Sequence, residues 1–283
     1  MTLLHTPPAP ACATALLDLR MLPLLAEQAA AIFWLPLVQV DEALFGTACA
    51  LLSDAERRRL DSYRFQRNKL QHGMGRALLR LALARECHCA PREIELVPDC
   101  QGKPRMAAPE PIAFSISHCE GHVAVALSRL PRIGVDIEDS AAPQAGYDAV
   151  ARRSFSAREY DWIRTADTGG FARFIELWTL KEAYLKALGA GLSKPMTDCE
   201  FLPGATAMQF LERRPECQAA GWHFAQYRVA PACRISLAVE ASAPAKLALY
   251  CADARHGWQA LDAGLLHSVH MPAASGTPGG AVA

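Results

Sequence analysis

The sequence predicts an α+β protein made of two similar halves, and three observations carry that prediction. Two Ser-x-x-Glu capping boxes, Ser53 with Glu56 and Ser156 with Glu159, each mark a helix N-terminus, because hydroxyl and carboxylate satisfy two orphan backbone N–H groups reciprocally. About two dozen residues after each box comes a helical run: RALLRLALAR from Arg76 and ELWTLKEAYLKAL from Glu176. Each run is followed by a pair of alternating strand segments around a turn, IAFSISH with VAVALS and WHFAQYRV with RISLAVE. The recurrence, offset by about a hundred residues, reads as an internal duplication, the alternative being a chance repeat of helix and hairpin in an ordinary α+β chain.

Composition narrows the function classes. With 283 residues, 51% hydrophobic, the chain can bury one large or two modest cores. Lys+Arg and Asp+Glu balance at 29 each, which excludes the general basic excess that non-specific binding to nucleic acid or an anionic membrane requires. The longest apolar stretch, Ala29 to Val38, contains Pro36 and falls short of the roughly 20 residues that span a bilayer. No Lys or Arg precedes the early prolines Pro7, Pro8 and Pro10, so the N-terminus does not read as a secretory signal, and a cytoplasmic location is expected. The cysteines are scattered, and the one cluster, Cys87, His88, Cys89 and Cys100, lacks the paired C-x2-C knuckles of a structural zinc site. They read as packing residues or incidental thiols.

Four segments are expected: an N-terminal extension over 1–30, a first α+β half over 31–139, a second over 140–250, and a C-terminal tail over 251–283 whose end, MPAASGTPGGAVA, has the composition of disorder. The boundary between halves is placed in the Pro/Gly/Ala-rich stretch SAAPQAGYDA, residues 140–149. Ligand sites often form where two such units meet.

In chain order, the first element with chemical character is the basic segment 57–85. Arg57, Arg58, Arg59, Arg64, Arg67, Lys69, Arg76, Arg80 and Arg85 face the single acid Asp61. It is either a solvated helix face or, in a neutral protein, a local site for a polyphosphate or an acidic partner. Next, Ser117 and His118 end an alternating strand just before a turn, where hydrogen bonding to phosphate and a purely structural role compete. In the strand RIGVDIE, alternation puts Ile133, Val135 and Ile137 on one face and Asp136 and Glu138 on the other. Such a carboxylate pair suits Mg²⁺, or marks a solvated strand end. On the helix ending at Gly189, Phe174, Leu177, Trp178, Leu185 and Leu188 form one apolar stripe with Lys181 in its middle. A lysine there is either a buried ion pair or a basic group facing a cleft between the halves. Glu182 and Lys186 flank the stripe at i,i+4, which by itself is an ordinary salt bridge.

Together these motifs resemble the 4′-phosphopantetheinyl transferases of the large, two-halved, surfactin-synthetase-activating (Sfp-like) type. GVDIE at 134–138 resembles the family's G-x-D-x-E strand, and WTLKEAYLKALGAGL at 178–192 its W-x-x-K-E-x-x-x-K helix. GKPR from Gly102, FSISH to His118, and RFQRN with GRALLR from Arg64 to Arg80 resemble its G-K-P loop, S-H hairpin and basic helix. Asn68 stands where Asp is frequent. The resemblance covers about residues 34 to 240 and leaves both tails unexplained.

The resemblance implies an intramolecular pseudo-dimer with the active site at the interface of its subdomains. It implies transfer of the 4′-phosphopantetheine arm of coenzyme A to a serine of an apo acyl, peptidyl or aryl carrier protein, with release of adenosine 3′,5′-bisphosphate. On that reading Asp136, Glu138 and Glu182 hold Mg²⁺, which Mn²⁺ can replace, and Glu182, directly or through a metal-bound water, is the base. Lys186 stabilises or protonates the departing phosphate, with Lys181 beside it in the cleft. Arg67, Lys103, Ser117 and His118 bind coenzyme A, and the chain acts as a monomer. The rival readings are another Mg²⁺-dependent phosphotransferase or phosphodiesterase, and a non-catalytic module binding coenzyme A or a carrier protein.

Overall fold

The computed structural model describes residues 14–25, 29–99, 102–107, 112–141, 145–166, 169–189, 191, 194–204, 208–212, 221–261 and 264–271. The repeat is visible as element order. The first half runs from strand β1 (Ala29–Pro36) through helices α1 (Glu42–Ala50), α2 (Asp54–Asp61) and α3 (Gln66–Cys87). Two hairpins follow, β2 (Leu96–Pro98) with β3 (Pro104–Met106) and β4 (Ala113–Cys119) with β5 (His122–Ser128). The second half repeats the order with β6 (Ile133–Asp139), α4 (Tyr147–Ser154), α5 (Ala157–Arg164) and α6 (Gly170–Leu188). Its hairpins are β7 (Cys199–Pro203) with β8 (Met208–Glu212) and β9 (Trp222–Arg228) with β10 (Cys233–Glu240). Three further strands, β11 (Lys246–Asp253), β12 (Gly257–Ala260) and β13 (Leu265–Met271), close the chain.

Both capping boxes form as the spacing predicts, at the N-termini of α2 and α5. The long helices end in left-handed residues, His88 after α3 and Gly189 after α6, the conformation that closes a helix C-terminus. Strand alternation then decides the layering. On one face of the two main sheets, Ala30, Ile32 and Trp34 meet Ile133, Val135, Ile137, Ile235 and Leu237 in a shared core between the sheets. The opposite face of β1 and β5 packs on α1 and α3, and that of β9 and β10 on α6. The molecule is therefore a helix–sheet–sheet–helix sandwich.

Strand pairing corrects the expected boundaries. β6 pairs antiparallel with β10, not with the first half, so the second repeat opens at Ile133 rather than in the 140–149 stretch, of which residues 142–144 lie outside the described residues. The region assigned to the second half's end and the tail is strand-rich. β11 lies parallel to β1, β12 pairs with β11, and β13 pairs with β9, giving sheet orders β12-β11-β1-β5-β4 and β13-β9-β10-β6. The low-complexity end, residues 272–283, lies outside the described residues. The N-terminal extension joins the first core through Leu16, Leu22 and Leu25, and Trp258 Nε1 donates to Leu16 O at 3.3 Å.

Candidate active site

The candidate site forms where β4 of the first half, β6 of the second, and α6 converge. Gly134 sets the spacing: a Cβ there would lie 1.9 Å from Ala183 O and 2.4 Å from Ala187 N, so only glycine lets the helix backbone lie directly on the strand. This close approach brings the carboxylates of β6 against Glu182 and Lys186. β6 is also an edge strand, and its free edge is met by side chains of β4: Val135 N donates to Ser115 Oγ at 3.1 Å, and Ser117 Oγ donates to Asp136 Oδ1 at 2.8 Å.

Lys186 Nζ completes the knot, 2.6 Å from Asp136 Oδ1 and 2.9 Å from Ser117 Oγ. Ile116, Ser117, His118, Asp136, Glu138, Trp178, Glu182 and Lys186 line one cavity of about 300 Å³. Its electrostatics are those of crowded acids. Burial pushes the Glu138 carboxyl up to about 7, with Asp136 and Glu182 adding to the shift against Lys186. Burial and Asp136 likewise raise Glu182. His118 is held below its ordinary value by burial and by Lys186.

These acids fit a hard divalent cation. Asp136 is 3% exposed, and its Oδ2 is buried with no hydrogen-bond partner among the described residues, an orphan acceptor beside two carboxyls that burial keeps above their usual range. An all-oxygen set of this kind suits Mg²⁺. As the side chains stand, Lys186 supplies the positive charge, and among the described residues no three acidic, histidine or cysteine groups close into a ligand cluster.

Two larger cavities adjoin through Lys186. One, about 390 Å³, is lined by Arg76, Gly102, Lys103, Pro104, Phe114, Ser115, Ile116, Gly189 and Gly191 as well. The other, about 960 Å³, lies toward α4 and is lined by Val150, Arg153, Trp178, Glu182, Leu185, Lys194 and Met196 among others.

The structure thus gathers Ser117, His118, Asp136, Glu138, Glu182 and Lys186 in one cavity and puts Lys103 in the next. Lys103 Nζ is turned to the C-terminus of α6, donating to Lys186 O and, at 3.5 Å, to Ile133 O. Arg67 is exposed on α3, with its guanidinium 5.8 Å from the Phe65 ring, and lines none of the three cavities. Lys181 is a correction. Its side chain is fully buried and donates to Glu159 Oε2 at 2.7 Å and to Met196 O and Cys199 O at 2.8 Å each, so it ties α5 to α6 and does not stand in the cleft. The apolar stripe placed it correctly inside the protein; its partner is the capping-box glutamate. The residue that the sequence reading left inside the general basic segment is Arg76, whose side chain reaches the cavity beside Lys103 and Lys186.

Comparison with known proteins follows the same division. Residues 34–129 match the family described as 4′-phosphopantetheinyl transferase, N-terminal, and residues 132–233 match the 4′-phosphopantetheinyl transferase superfamily. A putative 4′-phosphopantetheinyl transferase of Synechocystis sp. is 32% identical over 160 residues, covering 56% of this chain and 65% of that protein. A phosphopantetheinyl transferase of Thraustochytrium sp. is 35% identical over 50% of this chain and 54% of its own length. The 4′-phosphopantetheinyl transferase HetI of Nostoc sp. is 31% identical over 56% of this chain and 68% of its own. The chain therefore spans 54 to 68% of the length of these relatives.

A duplicated α+β fold whose halves meet at a carboxylate-lysine cavity, matched on both halves, places the chain in the 4′-phosphopantetheinyl transferase superfamily. With both repeats on one polypeptide, it is of the large, two-halved Sfp-like type.

Proposed function

We propose that this chain transfers the 4′-phosphopantetheine moiety of coenzyme A to a serine hydroxyl of an apo acyl, peptidyl or aryl carrier protein, releasing adenosine 3′,5′-bisphosphate. The observation that supports it best is the knot of Lys186, Asp136 and Ser117 at the meeting of the halves, with Glu182 beside it and a cation-lined cavity opening from the same lysine. Asp136, Glu138 and Glu182 would hold Mg²⁺ or Mn²⁺, which supplies neutralising charge to the diphosphate. Glu182, raised above the ordinary carboxylate range, accepts the proton of the incoming serine. Lys186 offers its ammonium to the phosphate that leaves, where negative charge grows most. Ser117, His118 and Lys103 bind and orient the nucleotide, and Arg67, exposed at the start of α3, meets its outer 3′-phosphate. With both halves in one chain, a single copy makes a complete site and acts as a monomer. Among the described residues no helix is long and apolar enough to cross a membrane; the setting proposed for the reaction is the cytoplasm.

The test is intact mass spectrometry of an apo carrier protein incubated with this protein, coenzyme A and Mg²⁺. The carrier gains the mass of the phosphopantetheinyl group with the wild-type protein. Glu182→Gln loses turnover by about a hundredfold or more, since an amide neither carries the charge nor accepts the proton. An unmodified carrier with every carrier type tried, or undiminished transfer by Glu182→Gln, overturns the proposal.

A further inference from the structure

Arg76 and Arg80 lie one helical turn apart on α3 and have opposite surroundings. Arg80 is consumed by the fold: its Nε donates to Glu56 Oε2 at 2.5 Å and its Nη1 to Pro91 O and Ile94 O at 2.8 and 3.0 Å. Arg76 is half-buried, yet makes no hydrogen bond or ion pair among the described residues. Burial lowers the basicity of its guanidinium, Glu56 offsets part of that, and the charge of Arg80 adds to it. A half-buried cation with no hydrogen-bonded anion costs stability, and such a cost persists where a ligand supplies the missing anion.

The cavity that Arg76 lines is chemically one-sided. Its charged walls are Arg76, Lys103 and Lys186, with no acid among its described lining residues. Lys103 is already committed to the end of α6, and Lys186 to Asp136 and Ser117. Arg76 is the one cation of the three with all its donors uncommitted, and a planar guanidinium fork matches two oxygens of a phosphate. Position selects which phosphate. Lys186 lines both this cavity and the one holding Asp136, Glu138 and Glu182, so an anion between Arg76 and Lys186 lies next to the carboxylates.

Resting on the transferase reading, we propose that Arg76 is a further substrate-binding residue, which holds the 5′-phosphate of the adenosine end of coenzyme A, the phosphate that departs with the nucleotide. Calorimetric titration of wild type, Arg76→Gln and Arg76→Lys with coenzyme A and with dephospho-coenzyme A, both in Mg²⁺, tests this. Arg76→Gln weakens both ligands by the same factor, about 10- to 100-fold, because both retain the diphosphate; Arg76→Lys recovers part of the loss. The unliganded Arg76→Gln protein melts no lower than wild type, as removal of a half-buried charge with no hydrogen-bonded partner allows. Binding of both ligands within about twofold of wild type overturns the assignment. So does a loss confined to coenzyme A, which would put Arg76 on the 3′-phosphate, and so does a lowered melting temperature with weakened binding, which would make the residue structural. If the wild-type protein itself binds neither ligand, the transferase reading fails, and the assignment with it.

Discussion

Lys181 and Lys186 ride on one helix with opposite fates, and the difference lies in what faces them. Lys181 meets the capping-box glutamate of α5 in a fully buried pair, whereas Lys186 meets Asp136 at the edge of a cavity and keeps about a third of its side chain exposed. Lys181→Met leaves Glu159 buried and unpaired, and is expected to cost about 3 to 5 kcal/mol in a urea melt. Lys186→Met also removes the ion-pair partner of Asp136, but beside a cavity rather than in a sealed core, so it should shift the same melt less and depress single-turnover transfer. The helical wheel showed that Lys181 was inside; it could not show which of two interiors, because Glu159 lies on another helix. The first half held the missing clue, since its capping-box Glu56 pairs with Arg80 in the same way. His72 gives a pH test. Burial, with Arg76 and Arg59 nearby, lowers its imidazole from 6.5 to about 4, and its Nε2 is buried without a partner among the described residues. Between those values the unfolded chain binds a proton that the folded chain does not, so this contribution is full above 6.5 and disappears as pH falls to about 4. Urea midpoints measured across that range should fall less steeply with acid in His72→Gln than in wild type.

At the scale of elements, the active site is a matter of how close a helix can come to a strand. Gly134 opens the G-x-D-x-E segment, and the space a side chain would need is filled by the backbone of α6 at Ala183 and Ala187. Gly134→Ala must push the helix off the strand, at an expected cost of about 3 kcal/mol or more, and should reduce transfer even at temperatures where the protein remains folded. A thermal melt paired with an activity assay at low temperature checks both parts. The strand and helix themselves were legible, because alternation in RIGVDIE and the apolar stripe through Trp178 are strong local patterns. Strand pairing was not. Whether β6 joins the hairpin before it or the one a hundred residues on depends on contacts no local pattern encodes, and the boundary was accordingly placed too late. Arg76 escaped for a related reason: nothing in a run of arginines distinguishes the one that faces a cavity.

Across the whole molecule, duplication of the fold has not duplicated the site. Where β6 turns Gly134, Asp136 and Glu138 toward its helix, β1 turns Ala31, Phe33 and Leu35 toward α1 and α3, and these are sealed in the first core. The edges differ as well: that of β6 is open to Ser115 and Ser117, whereas β1 is covered by β11 in parallel register. Trp258, beyond the stretch that resembles the family, packs edge-on against Phe33 at 5.5 Å and donates to Leu16 O, pinning the segment around Leu16 and strand β12 to the first half. Trp258→Ala should therefore cost about 3 to 5 kcal/mol, while folded protein keeps its affinity for coenzyme A; denaturant melts and calorimetry would show the split.

The path of β11 also bears on how the protein is made. A ribosome releases the first half early, but the strand that covers β1 is encoded after the entire second half, so the nascent first sheet waits with an unpaired edge while more than a hundred residues are added. The last strands to emerge thus act as the clasp that covers the open edge of the first sheet.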